Sequence, residues 1–433
     1  DRVHAVLRPL SRRQDRAKKN TPDGTPSMLG GSRIGIEALE AVGRVFVNDP
    51  EHKLNIRKAQ TLTCTMHEDN RLAQATIVST DPSVPARLRY GEMAIHGHRI
   101  EIDMDAQAVD VPGPGKAWMV SHKDFSGRAL RTPAPVKTTW DQRMEFRLAK
   151  DYGVFLGNVR SEMRTFTLSC DKLTVRFGRL PPVREQKDDR FIDRFWILGA
   201  ITGDKAAVKT IAPATPDEQR SRPVAVVAEG HAEALSSNYA AGPSADRPGR
   251  LLNRLRIAGD QIMADLLREQ MSVPGAGSLL VEDYQFEPGG SRGKLAAGGL
   301  SGDPLMSSMR EEGPSQTLVT WENSMDFFVD RNLVAFDKNV LMIHRSGQEV
   351  VLRDELASAM RIDIEALRRM RVGRKASLSC GYLLLEFLTA PKPKDNGDAA
   401  PVVRATDLQR LIAKHAVHLQ EGTKSLKGAH LQY

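Results

Sequence analysis

The chain has 433 residues, of which 40% are hydrophobic and 27% charged, and its formal net charge is +8 at pH 7. This length and composition exclude a disulfide-stapled miniprotein, a collagen-like chain and a wholly disordered chain, and no apolar stretch approaches the roughly 18 residues of a membrane span. The basic balance permits anionic partners such as phosphate-bearing lipids, polysaccharide or nucleic acid, without choosing among them.

The beginning of the chain has the composition of a linker. Residues 1–33 contain a basic run followed by the turn-forming sequence NTPDGTPSMLGGS, which predicts a flexible basic linker, with a binding arm as the alternative. From Ile34 onward, short runs of Val, Ile, Thr, Leu and Phe alternate with polar residues and are punctuated by Gly or Pro. This pattern predicts an all-β fold. Residues 353–370 are ambiguous between a short helix and a strand.

Several motifs occur twice, and the repetition decides the predicted architecture. Residues 96–120 match 258–281, TTWDQRMEFRL matches VTWENSMDFFV, and TLSCDKLTVRF matches SLSCGYLLLEF. The later motifs are separated by more residues in the second copy than in the first. Constant motifs with growing separations indicate one architecture with loops inserted into its second copy.

The motif positions predict a linker followed by three β units. The linker is residues 1–33, the first unit residues 34–200, the second unit residues 201–390, and the start of a third, truncated unit residues 391–433. The largest insertion, residues 287–316, is rich in Gly and Ser, so we expect it to be a surface loop of the second unit.

The two matched Trp-containing segments have the period of two that is typical of strands. One face of each carries apolar residues and the other carries charged residues, as in an antiparallel sheet with one covered face. Both a filled core and the lining of an apolar groove fit this pattern, and the sequence leaves the choice open. The candidate lining residues are Trp140, Met144, Phe146, Trp321, Met325 and Phe327.

The alternation slips by one residue after Cys170 and again after Cys380, which predicts a β-bulge or bend. We interpret both cysteines as small buried hydrophobic residues. We expect no disulfide between them, because equivalent positions of stacked units lie beyond the roughly 7 Å Cα separation that a disulfide can bridge. The motifs VPGPG and VPGAG predict a tight turn or strand break in which each Gly permits a positive φ.

Few residues indicate catalysis or metal binding. His96 and His98 lie two apart on a predicted strand and would face one way, but no third ligand cluster accompanies them. Glu101, Asp103 and Asp105 would share a strand face, which is more typical of a solvent face than of a glycosidase- or lyase-like site. Aromatic residues are only 5% of the chain and are not interleaved with basic ones. We therefore predict no enzyme, no cofactor, no metal site and no nucleic-acid partner.

The segment GNVRSEMRTFTLSCDKLTVRF (157–177) resembles the signature of the LptA/OstA (organic-solvent-tolerance) domain family of lipopolysaccharide export. Cys170 stands where the family usually has Ala, and the second copy has Gly381 in place of the signature Asp. The signature positions are occupied by Gly157, Val159, Leu168, Asp171, Leu173, Val175 and Phe177, and in the second copy by Val340, Leu378, Leu383, Leu385 and Phe387.

The resemblance implies stacked, V-shaped, open antiparallel β-jellyroll units whose apolar interior carries acyl chains across the periplasm. It implies lipid or lipopolysaccharide as ligand, and other envelope lipid-transport components or further copies of the same domain as partners. The location it implies is the periplasm or cell envelope, with a signal peptide that is not in this chain. The alternative interpretation is a non-catalytic scaffold of the cell envelope whose interior is simply filled core.

Overall fold

The computed structural model describes residues 2–9, 34–49, 54–67, 72–81, 83–90, 93–123, 129–164, 166–178, 222–239, 251–284, 315–346, 374–387 and 408–432. The predicted boundaries at 200/201 and 390/391, the ambiguous segment 353–370 and most of the insertion 287–316 lie outside these residues. The division of the chain into a linker and three units therefore stays a prediction.

The described residues form one antiparallel β-sheet with two short 3₁₀ turns, Leu148–Lys150 and Val329–Arg331. The predicted all-β, antiparallel fold is confirmed, and the single large sheet is consistent with a β-jellyroll. Within the described ranges, no helix has the length and apolar character needed to cross a membrane.

The first thirteen strands are β1 (Arg2–Pro9), β2 (Ile34–Asp49), β3 (Leu54–Met66), β4 (Leu72–Val78), β5 (Ala86–Tyr90), β6 (Met93–Gly97), β7 (Arg99–Asp103), β8 (Ala108–Pro112), β9 (Gly115–Lys123), β10 (Ala129–Trp140), β11 (Arg143–Arg147), β12 (Tyr152–Met163) and β13 (Phe166–Gly178). The remaining strands are β14 (Arg222–Tyr239), β15 (Leu251–Asp265), β16 (Gln270–Pro274), β17 (Gly277–Asp283), β18 (Ser315–Trp321), β19 (Ser324–Phe328), β20 (Leu333–Ser346), β21 (Arg374–Phe387), β22 (Leu408–Glu421) and β23 (Lys424–Gln432).

The chain forms two compact units. Unit 1 comprises Asp1–Val120, Pro135–Val159 and Thr174–Gly178, and unit 2 comprises Ser121–Ala134, Arg160–Leu173 and Arg179–Tyr433. Both units are therefore built from strands that are distant in sequence.

Strand β1 is a departure from the predicted linker. Residues 2–9 pair with β2 in antiparallel register, with Arg2 opposite Val42 and Pro9 opposite Ile34. The sequence RVHAVLRP supports a strand because its β-branched and apolar residues recur between polar ones. Of the basic run that suggested a linker, only Arg8 lies in this strand, and the rest of the run lies outside the described residues.

The long strands of unit 2 are interrupted along a common line. Strand β15 pairs with β17 through Asn253 to Gly259 and with β16 through Met263 to Asp265. Strands β16 and β17 are thus two halves of one strand, broken at residues 275–276. In the same way β18 and β19 are two halves broken at residues 322–323, and both pair with β20. Each strand therefore bends near its middle.

Strand β20 is not interrupted at this line of strand breaks but contains a β-bulge there. Lys338 and Asn339, with φ of 65° and 50°, lie opposite the single residue Gly381 of β21. The extra residue bends β20 locally and increases its twist. The break predicted after Cys380 is confirmed, and the extra residue lies in the neighbouring strand.

The bulge keeps the apolar side chains of β20 on one face of the sheet. Val334 and Phe336 are buried before the bulge, and Val340 and Met342 are buried after it. The neighbouring strands β21 and β22 also bury apolar residues on both sides of the bend, so one apolar face continues across it in unit 2. The corresponding buried residues are Leu378, Cys380, Leu383 and Leu385 of β21, and Leu411, Ala413, Val417 and Leu419 of β22.

Candidate functional site

The candidate residues of unit 1 surround the turn between β8 and β9. Trp140 is the last residue of β10, and its indole Nε1 donates a hydrogen bond to the carbonyl oxygen of Gly113 at 3.1 Å. Its ring centroid lies 5.3 Å from that of Phe155. Met144 is directly opposite Phe155 in the β11–β12 pairing, and Phe146 meets the same phenyl ring edge-on at 6.0 Å. These side chains form one packed aromatic cluster.

The candidate residues of unit 2 repeat this arrangement. The Trp321 indole Nε1 donates to the carbonyl oxygen of Gly275 at 3.0 Å, and its ring lies 5.3 Å from that of Phe336. Met325 is directly opposite Phe336 in the β19–β20 pairing. Phe327 is two residues farther along β19, on the same face. The matched sequence motifs therefore make matched local contacts.

Burial separates one of the six candidates from the others. Phe327 is half-buried, whereas the other five are almost wholly buried within their units. The exposed fractions of these five are 1% for Trp140, 0% for Met144, 3% for Phe146, 2% for Trp321 and 1% for Met325.

The glycines of the two turn motifs have two different roles. Gly113 and Gly275 adopt φ of 83° and 82°, as predicted for a strand break. Gly115 and Gly277 have no positive φ. A Cβ at Gly277 would lie 2.5 Å from Cζ2 of Trp321, and Gly115 is approached by the equivalent indole. These second glycines are therefore needed for the close approach of the indole, a role that the sequence analysis missed.

The two histidines considered as metal ligands do not lie on one strand as predicted. His96 is in β6, where its ring lies 4.4 Å from that of Trp118, whereas His98 occupies the bend between β6 and β7. Burial, together with the charges of Arg87 and Lys116, lowers the pKa of His96 to about 4. In the described residues, no group of three or more His, Cys, Asp and Glu side chains is arranged to hold a metal ion.

The three carboxylates considered for catalysis have separate hydrogen-bonding partners. Glu101 pairs with Arg99, and Asp103 accepts hydrogen bonds from Gln74 and from the backbone of residue 106. Asp105 is in the turn after β7, not on the predicted strand face, and lies 2.9 Å from His67. Each carboxylate therefore supports a local turn or strand contact.

The cysteines are buried free thiols. Burial raises the pKa of Cys170 to about 12 and that of Cys380 to about 11, and it also raises the pKa of Cys64. With pKa values raised in this way, the thiols are protonated at neutral pH. Because the thiolate is the reactive form of cysteine, they are unreactive in the folded protein.

We expect a thiol reagent to label all three cysteines rapidly in denaturant and only slowly under native conditions at mildly alkaline pH. Timed alkylation followed by mass spectrometry measures both rates. Fewer than three reactive thiols in denaturant, without reductant, would contradict the prediction that Cys170 and Cys380 are not joined.

A set of buried polar residues in unit 2 was not predicted from the sequence. Arg256, Glu282, His344 and Arg345 are buried. The Thr317 hydroxyl lies 2.9 Å from Nδ1 of His344, and burial lowers the pKa of this histidine to about 4. The available sequence signal for these residues was the run LMIHRS at the end of β20. In this run, charged and apolar residues follow one another directly.

No protein-family model matches the chain, and no curated protein matches it. Among solved structures, the chain is similar to LptH, the LptA-homologous periplasmic component of the lipopolysaccharide transport device of Pseudomonas aeruginosa, with 10% sequence identity and a TM-score of 0.22. The similarity covers 30% of this chain and 80% of that chain.

Proposed function

We propose that the chain binds lipid, of the lipopolysaccharide type, and acts in the periplasm or cell envelope as a bridge for its transport. The observation that carries the proposal is the apolar face of unit 2, which continues across the bend in β20, β21 and β22. The resemblance of residues 157–177 to the LptA/OstA signature supports the same function.

An apolar face of this kind suits an acyl chain. Acyl chains are held by buried area, at roughly 0.8 kcal/mol per CH₂, so binding requires a long apolar surface and no dominant polar contact. Trp140, Met144 and Phe146 are the proposed lining of unit 1, and Trp321, Met325 and Phe327 that of unit 2. Phe327 is the most accessible of the six and is the proposed first contact for lipid.

Partner proteins or further copies of the chain are proposed to extend the sheet at a strand edge. In the described part of the chain, β1 pairs only with β2, which leaves the backbone groups of its other edge available for a further strand. Val3 and Leu7 of this strand are 74% and 57% exposed, so a partner strand would also cover apolar surface.

One observation favours a second candidate function. Five of the six proposed lining residues are at most 3% exposed, which is the packing of a filled core. A non-catalytic envelope scaffold of the same fold would have such an interior and would need no lipid.

Photo-crosslinking distinguishes the two functions. A benzoylphenylalanine in place of Phe327 is expected to form an adduct with a radiolabelled diacyl lipid. The matched control is the same probe at Met263, which is 36% exposed. Met263 lies in one cross-strand row with Ser272 and Asp326, so it projects from the opposite face to Phe327. Folded variants without an adduct at either position would leave only the scaffold.

A further inference from the structure

A row of basic residues crosses four strands of unit 1. Arg57 of β3 is directly opposite Arg87 of β5. Arg87 is opposite His96 of β6, and His96 is opposite Lys116 of β9. Directly opposed residues of antiparallel strands project from the same face of a sheet, so the four side chains share one face. With strands about 4.8 Å apart, the row is about 14 Å long. We refer to these four residues as the basic row.

The basic row lies on the solvent face of its strands. Arg57, Arg87 and Lys116 are exposed, and His96 is half-buried. The apolar residues next to them, which project from the opposite face, are at most 3% exposed. They are Ile56, Leu88, Ile95 and Ala117. In this part of unit 1 the sheet therefore buries one face and presents the basic row on the other.

The positive charge of the basic row is not compensated within the sheet. Among the residues that the structure describes, no acidic side chain forms an ion pair with Arg57, Arg87 or Lys116. Burial, followed by the charges of Arg87, Lys116 and Lys58, lowers the pKa of His96 to about 4, so this histidine is neutral at pH 7. Like charges at opposed positions disfavour a sheet, so an anionic surface placed against the row would relieve their repulsion.

One acidic residue borders the basic row. Asp81, in the loop between β4 and β5, lines the same surface depression as Arg57 and Lys58. Its Oδ1 accepts hydrogen bonds from the backbone N–H and the hydroxyl of Ser83, at 2.8 and 2.6 Å. Lys58 is itself an exposed cation, so an excess of positive charge remains around the row.

Aromatic side chains flank the basic row at both ends. Phe46 of β2 is 62% exposed, and the guanidinium carbon of Arg57 lies 5.5 Å from the centroid of its ring. Trp118 of β9 is half-buried, two residues from Lys116 on the same face, and its ring lies 4.4 Å from that of His96. Because both rings already carry a neighbour, they are poor platforms for stacked nucleobases. Aromatic rings beside exposed cations are typical of surfaces that bind at a membrane interface.

We infer that the face of unit 1 that carries the basic row docks onto an anionic membrane surface. The cations are on long, exposed side chains aligned over a sheet, which suits attraction to many phospholipid headgroups better than the fixed grip of one phosphate. Each Lys or Arg near such a surface strengthens binding about fivefold. Phe46 is placed to enter the boundary between headgroups and acyl chains. This docking is independent of acyl-chain binding on the apolar face of unit 2.

Sedimentation with vesicles tests the inference. The probes are vesicles of phosphatidylcholine alone and of equal parts phosphatidylcholine and phosphatidylglycerol. The parent protein is expected to bind the anionic vesicles about 100-fold more tightly, and added salt should weaken this binding by screening the charges. Arg87→Gln combined with Lys116→Gln should reduce binding to anionic vesicles about 25-fold. Its thermal midpoint should not fall, because the change removes repulsion.

A matched control removes the same charge elsewhere. Arg268→Gln combined with Arg331→Gln changes side chains that are 79% and 73% exposed in unit 2, and it should leave binding to anionic vesicles unchanged. An equal loss in both double variants would show that only net charge matters and would overturn the inference. If the variant at positions 87 and 116 does not fold, Arg87→Gln alone replaces it, with an expected loss of about fivefold.

The remaining outcomes separate the membrane from other partners. Phe46→Ala should weaken binding to anionic vesicles several-fold and leave any binding of oligothymidylate or polyglutamate unchanged, because only a membrane offers an apolar interior. Binding of either polymer through Arg87 and Lys116, without binding to anionic vesicles, would assign the row to a nucleic acid or an acidic protein and contradict the inference. Equal binding to neutral and anionic vesicles would overturn it too, while leaving the proposed acyl-chain binding standing.

Discussion

Replacing Gly277 with alanine is expected to destabilise the protein by about 3 kcal/mol, the upper end of the usual cost of overpacking a core. The new Cβ would lie 2.5 Å from Cζ2 of Trp321 and 2.7 Å from the backbone oxygen of Ala258. The indole cannot move away readily, because Trp321 is 2% exposed and its Nε1 donates a hydrogen bond to the carbonyl oxygen of Gly275. The backbone oxygen is fixed by the sheet.

The free energy of unfolding from denaturant titration measures this effect. Gly428→Ala is the matched control, since the nearest atom to its added Cβ is 3.8 Å away and the change should alter stability little. Trp321→Phe makes room beside Gly277, so the double variant should be less unstable than the sum of the two single changes. Additive effects would show that the indole is not what excludes the Cβ.

The local equivalence of the two Trp clusters was predictable from sequence because it depends on contiguous motifs. TTWDQRMEFRL and VTWENSMDFFV each specify a strand, a break after Trp and a second strand, and the structure forms both breaks at the same residue. The slip after Cys380 was predictable for the same reason, because a bulge changes the parity of the apolar positions. Its partner residues, Lys338 and Asn339, were not predictable, because the choice of strand that carries the extra residue depends on pairing.

Features that depend on contacts between distant strands could not be predicted. Gly277 looked like a turn residue because its neighbour Gly275 is one, and only the folded sheet brings Trp321 against it. The buried polar residues of unit 2 were hidden for a related reason. Charged residues such as Glu282 and Arg345 are typical of solvent-facing positions in their own strands, and their burial arises only when the strands align.

Phe146→Asp is expected to have the largest effect of any change at a proposed lining position. Phe146 is 3% exposed and packs on Phe155 and Phe177, with ring centroids 6.0 and 5.5 Å away. Truncating a buried Phe costs about 3–5 kcal/mol, and a carboxylate without a partner adds a desolvation penalty. A loss of at least about 5 kcal/mol is a large part of the 5–15 kcal/mol stability of a typical domain, so we expect unit 1 to unfold.

Circular dichroism and denaturant titration of Phe146→Asp test this expectation, with lipid binding measured on the same samples. The control Arg143→Ala removes a residue whose side chain is 46% exposed and paired with Asp110 and Glu145, and it should cost at most about 1 kcal/mol. A folded Phe146→Asp variant that has lost lipid binding would contradict the expected unfolding and would show that Phe146 faces an open, lipid-filled interior. A variant that unfolds, beside a parent protein whose Phe327 position still crosslinks to lipid, would show that Phe146 is also part of the core that holds unit 1 together.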